Sequence, residues 1–177
     1  MAKFRVRAAL SAIAAGILIT IGGCTEQAPT GNSGPETGAQ FQRLELQQTA
    51  TAGAAYDVPG AEKVIGTEGG TLEITGGHSL TFPAGALGQP TRIRARVDAR
   101  YVQVDLEPHG INFPAGREPV LKLSYAAAAP VSAKSLTVVY LDQAGRVLEN
   151  MNGTADASSR VVTARLPHFS KYAVASY

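Results

Sequence analysis

Tryptophan is absent from this 177-residue chain, cysteine occurs once and histidine three times. The single cysteine, Cys24, excludes an intramolecular disulfide and a thiolate zinc cluster. Charged residues are sparse at 17% and aromatic ones at 6%, against 45% apolar. That balance excludes coiled coil, collagen and wholesale disorder. A surplus of one charge is also lacking. The formal +2 comes from Lys3, Arg5 and Arg7, and the remainder holds 13 basic residues against 14 acidic ones. Without a basic body, a nucleic-acid partner is not expected. No stretch offers a convincing amphipathic helix; even Ala126 to Ala129 stops at Pro130. The length suits one domain, or one domain with a tail.

What is present begins with an export layout. Three positive charges in the first seven residues precede a run from Ala8 to Ile21 that is apolar apart from Ser11 and Thr20. Gly22 and Gly23 follow as the small residues of a cleavage point. The run is short for a membrane span, which takes roughly 20 apolar residues. Ile21-Gly22-Gly23-Cys24 resembles the lipobox of bacterial lipoproteins, with Ile where Leu is usual and Gly where Ala or Ser is usual. The resemblance implies a signal peptide over 1–23 and acylation of Cys24, hence a membrane partner through lipid. At about 0.8 kcal/mol per buried methylene, two or three chains anchor effectively for good. Thr25 in place of Asp implies the outer membrane of a two-membrane bacterium, on its periplasmic or its outer side.

Residues 24–62 read as the lipidated cysteine and a flexible tether, within which Phe41 to Leu46 suit a brief strand or a helical turn. They are rich in Gly, Pro, Ser, Thr, Gln and Ala, a composition that buries too little surface to offset ordering entropy. From 63 to 177 the pattern becomes short alternating runs bounded by Gly, Pro and Asp. They start at Thr71, Ser79, Thr91, Tyr101, Pro119, Leu136, Arg146, Arg160 and Phe169. Nine or ten short, mostly antiparallel strands predict an all-β sandwich. About 115 residues bury roughly two-thirds of their unfolded surface, enough for a core.

One strand pair is specified more closely. Ile93, Ala95 and Val97 point one way, with Arg92, Arg94 and Arg96 the other; Val102, Val104 and Leu106 point inward, with Gln103, Asp105 and Glu107 outward. A tip at Ala99-Arg100 sets Arg94 opposite Asp105 and Arg92 opposite Glu107. Such pairs contribute roughly 0.2–1 kcal/mol each. Ala-Arg is a poor two-residue turn, so a wider loop shifts this register. Arg92, Arg94, Arg96 and Arg100 are the candidate stripe for an anionic partner, and the neighbouring acids favour a solvated face instead.

Several phrases share a likeness. Gly69-Gly70-Thr71-Leu72 leads to Ser79-Leu80-Thr81-Phe82-Pro83-Ala84-Gly85-Ala86-Leu87. Leu106-Glu107-Pro108-His109-Gly110-Ile111-Asn112-Phe113 and Glu118-Pro119-Val120-Leu121-Lys122-Leu123 follow, and His168-Phe169-Ser170-Lys171-Tyr172-Ala173-Val174 closes the series. In order and spacing they resemble the ZU-five domain, the β-sandwich of ankyrins and netrin receptors, over about Val64 to Ser176. The resemblance implies a binding or structural module without a cofactor. Some relatives cut their own backbone between Phe and Ser of a His-Phe-Ser triplet. Carried over, Ser170 attacks the Phe169 carbonyl with His168 as base, and water hydrolyses the ester. In a strand His168 and Ser170 share a face. The plainer reading makes Phe169 a core anchor, and only Ser170 to Tyr177 follows for release.

His78 and His109 read as turn residues, and with His168 they lack metal-ligand spacing. The paired glycines at 69–70 and 76–77 are turns, not phosphate cradles, since no Gly-Lys-Ser/Thr follows. Asp105 and Glu107 on a strand face argue against a glycosidase pair, and no Ser-His-Asp set emerges from spacing. The expectation is a non-enzymatic, lipid-anchored envelope module whose partner is an envelope protein or polymer, with self-cleavage as the rival.

Overall fold

The computed structural model describes residues 41–47 and 57–177. Among these, β1 spans Gln42–Arg43, β2 Asp57–Ile65, β3 Gly70–Ile74, β4 His78–Phe82, β5 Thr91–Asp98 and β6 Gln103–Glu107. Then come β7 Val120–Ser124, β8 Leu136–Leu141, β9 Val147–Asn150, β10 Thr154–Asp156, β11 Val161–Arg165 and β12 Lys171–Ser176. A single 3₁₀ turn, Ala133–Ser135, precedes β8. The strands form two antiparallel sheets. The larger runs β2-β5-β6-β12-β8-β9 with β1 also on β12, and the smaller runs β10-β11-β7-β4-β3. The protein is an all-β sandwich.

Alternation decides which face is buried. Leu80 and Phe82 of β4, Ile93, Ala95 and Val97 of β5, Leu121 and Leu123 of β7, and Val162 and Ala164 of β11 all enter one core. Their neighbours Thr81, Arg94, Lys122 and Arg165 are exposed. At one end of the core Phe82, Phe113 and Phe169 meet edge to face, with centroids 6.2, 5.9 and 5.0 Å apart. Edge-to-face contact is the arrangement that ring quadrupoles favour.

Three expectations are corrected. The tether read over 24–62 contains two strands. Asp57 to Glu62 belong to β2, and the bulge between Pro59 and Ala61 absorbs the proline. Gly60 fits closely there: a Cβ would lie 3.0 to 3.1 Å from Ile74, Val97 and the Ala95 carbonyl, so its neighbours would have to shift. Residues 41–47 complete the edge of β12 that β6 leaves uncovered: Leu44 donates to the Val174 carbonyl at 2.8 Å, and Val102 donates to that of Leu44 at 2.9 Å. Phe41 packs with Val139, Leu141, Ala173 and Ala175 on the outer face.

The β5–β6 register is displaced by two residues. Arg94 lies opposite Glu107 and Arg96 opposite Asp105. The Asp98 carboxylate accepts from the Arg100 and Tyr101 amides at 2.7 and 2.9 Å, which holds a loop wider than Ala-Arg. An even displacement leaves every side chain on its expected face. Gln103, expected outward, is nonetheless buried, because Arg43 donates to its Oε1 at 2.9 Å and covers the Tyr101 ring.

His78 is a strand residue. Gly76 and Gly77, at φ of 86° and 78°, complete the turn before it, and it opens β4 opposite Ile74. Its buried Nδ1 accepts from the Ser124 amide at 3.0 Å. Burial lowers its pKa to about 4, so the imidazole is neutral and an acceptor.

Candidate functional site

At the Phe82–Phe113–Phe169 end, the segments Ile111 to Phe113 and Pro167 to Ser170 meet. The Phe169 amide donates to Ile111 and the Phe113 amide to Pro167, both at 2.9 Å. Asn112 bridges His168, and the Leu106 amide donates to the Ser170 carbonyl at 3.1 Å. Above this seam opens a depression of about 440 Å³, whose walls include Asp105, His109, Tyr140, Gln143, His168 and Ser170. The C-terminal ends of β6 and β8, the loops that follow them and the segment just before β12 supply these residues.

The three residues of the triplet play separate parts. Phe169 is buried in the core, which bears out its part as an anchor. His168 turns toward Tyr172, whose hydroxyl donates to the His168 carbonyl at 2.7 Å and lies 3.2 Å from its Nδ1. A phenol has one proton to give. With that proton on the carbonyl, the second contact is satisfied when Nδ1 carries a proton and donates to the phenol oxygen. Tyr140 packs edge-on against the imidazole at 4.8 Å. Burial, aided by Tyr140 and Glu149, raises the Tyr172 pKa, so this phenol keeps its proton. Among the described residues no hydrogen bond joins His168 to Ser170. The triplet precedes β12, so the strand geometry expected to align the two is not present.

The acids here are already matched. Asp105 meets His109 Nε2 at 2.6 Å and Lys171 Nζ at 3.9 Å. Asp142 accepts from Arg146 Nε at 2.6 Å and from its amide at 2.9 Å. These bonds, the backbone one first, lower the Asp142 pKa. By contrast, the Tyr140 and Ser170 hydroxyls and the Gln143 amide have no hydrogen-bond partner among the described residues.

The arginine candidates lie mostly on the outer face of β5. Arg92 pairs with Glu62, and Arg94 bridges Glu62 at 2.9 Å and Glu107 at 3.4 Å. Arg96 Nε lies 3.8 Å from Glu107, and Arg100 lies over Tyr101 with its guanidinium carbon 5.5 Å from the ring centroid. Bonds from Arg92 and then Arg94 lower the Glu62 pKa. Glu62 was missed as a partner because its strand was read as tether. Cys24 lies outside the described residues.

Sequence reasoning also missed the Asp105–His109 pair, Tyr140, Gln143 and Tyr172. The one signal for the first was a carboxylate four residues before a histidine at a strand end. Among the described residues no group of three or more His, Cys, Asp or Glu side chains is placed to hold a metal ion. In comparisons with known proteins, no family model and no curated protein matches the chain.

Proposed function

We propose that this chain is a lipid-anchored binding module of the bacterial cell envelope, a ZU-five-like sandwich displayed from the outer membrane through acylated Cys24. The export layout and the Ile21-Gly22-Gly23-Cys24 resemblance support the address. The depression beside His168 carries the binding part of the reading. Its charges are matched internally while hydroxyl and amide groups stay unengaged, as the few polar groups that orient a ligand in a pocket must be.

Self-cleavage at Phe169–Ser170 is the rival, and one contact favours it: the Gly110 amide faces the Phe169 carbonyl, at 3.4 Å. That distance is long for an oxyanion donor, and His168 is engaged by Tyr172 rather than Ser170. The anchor is tested by expressing the full chain in a lipoprotein-processing bacterium and separating membranes from soluble protein. The chain is expected in the membrane fraction, and Cys24→Ser is expected to release it. A Cys24→Ser variant that stays membrane-bound overturns the anchor.

A further inference from the structure

We propose that the depression at the β12 end is a subsite for a neutral sugar unit of an envelope glycan. The inference rests on reading this end as a recognition site and names the ligand chemistry it takes. Three classes of ligand are distinguished by what the walls offer. A charged group finds no free counter-ion, because Asp105 is held by His109 and Lys171 and Asp142 by Arg146. Its desolvation goes uncompensated. An apolar ligand covers the Tyr140 and Ser170 hydroxyls, the Gln143 amide and His168 Nε2 without engaging them. Each polar group buried in this way costs about 1–3 kcal/mol.

A sugar ring meets both conditions. Its hydroxyls donate and accept at once, as do the Ser, Tyr and Gln groups left free here. Its C–H face suits the electron-rich face of an aromatic ring, and the wall carries two rings, Tyr140 and His168, with centroids 4.8 Å apart. The volume of about 440 Å³ fits a small ligand rather than a folded partner.

The test titrates the isotope-labelled, purified full chain with two neutral probes, an N-acetylglucosamine tetramer and a glucose tetramer, and with polygalacturonate as the anionic control. Amide shifts at Gln143, His168 and Ser170 with either neutral probe are expected, at a Kd on the order of 1 mM. The responding probe separates a wall-type amino-sugar source from a hexose polymer. Binding is expected to be indifferent to salt, to weaken about tenfold in Ser170→Ala and in Tyr140→Phe, and to be unchanged in Arg92→Ser. Tyr140→Phe keeps the ring, so that loss is read on a folded chain. Absence of shifts with both neutral probes, or shifts only with polygalacturonate that vanish in salt, overturns the proposal. Sugar binding by a chain without lipid leaves the subsite standing and removes the anchor; a lipidated chain indifferent to sugars does the reverse.

Discussion

Two polar patches on the larger sheet use their charges differently. On the face of β2, β5 and β6, Glu62 and Glu107 pair with Arg92, Arg94 and Arg96, so charge is spent within the fold. At the β12 end, the ions are matched as well, but hydroxyl and amide groups surround them without partners among the described residues. The first patch is conspicuous in sequence because arginines alternate in one run. The second is inconspicuous because its residues come from four places. Conspicuous charge therefore marks a self-satisfied ladder here, and the more available chemistry lies where charge is balanced.

The largest expected effect breaks the floor of the second patch. Phe169→Ala removes the ring between Phe82 and Phe113 and is expected to cost about 3–5 kcal/mol in urea unfolding. Loss of the sugar response should accompany it, whereas the arginine ladder at the other patch keeps its pairing.

Next in size is a pH effect from His78, buried with its Nδ1 accepting from the Ser124 amide. Its folded pKa of about 4 lies below the ordinary 6.5, so the unfolded chain binds the proton first. Stability is therefore full above pH 6.5 and falls as pH drops toward 4, by on the order of 3 kcal/mol. Carboxylates with lowered pKa values, such as Asp156 at about 2, lose their contribution mainly below about pH 4.5. His78→Gln is expected to flatten the slope between pH 6.5 and 4.5 in denaturation series, which isolates the imidazole from both surface patches.

The smallest effect sharpens the contrast. Glu62→Gln removes the counter-charge of Arg92 and Arg94, both exposed, so the thermal midpoint should scarcely move. Affinity for an anionic polymer should then appear at low salt and vanish at high salt. If the parent chain already binds that polymer as well as the variant, the ladder is not self-satisfied.

Much of the fold was legible because burial follows a period of two. Ile93, Ala95, Val97, Val102, Val104 and Leu106 are all buried, as their alternation requires. The register was not legible, because it depends on Asp98 capping two amides across the loop. β1 was legible only as one of two forms open to Phe41–Leu46, and the part of β2 before Lys63 was not: its Pro, Gly and acidic residues have little intrinsic strand preference, and the partner strand holds it in place. His78 was misread because the glycines before it carry the whole turn. The β12-end site was hidden for a different reason. Tyr140, Gln143 and Asp105 meet His168 only through the β6-β12-β8 order of the sheet, which spacing along the chain does not encode.

If the His168 end recognises and does not react, as we propose, the chain stays whole, and its intact mass decides the matter. The purified full chain, incubated for days at neutral pH, is predicted to keep a mass running through Tyr177. A mass ending at Phe169 beside a Ser170–Tyr177 peptide, with both products absent in Ser170→Ala, would contradict it.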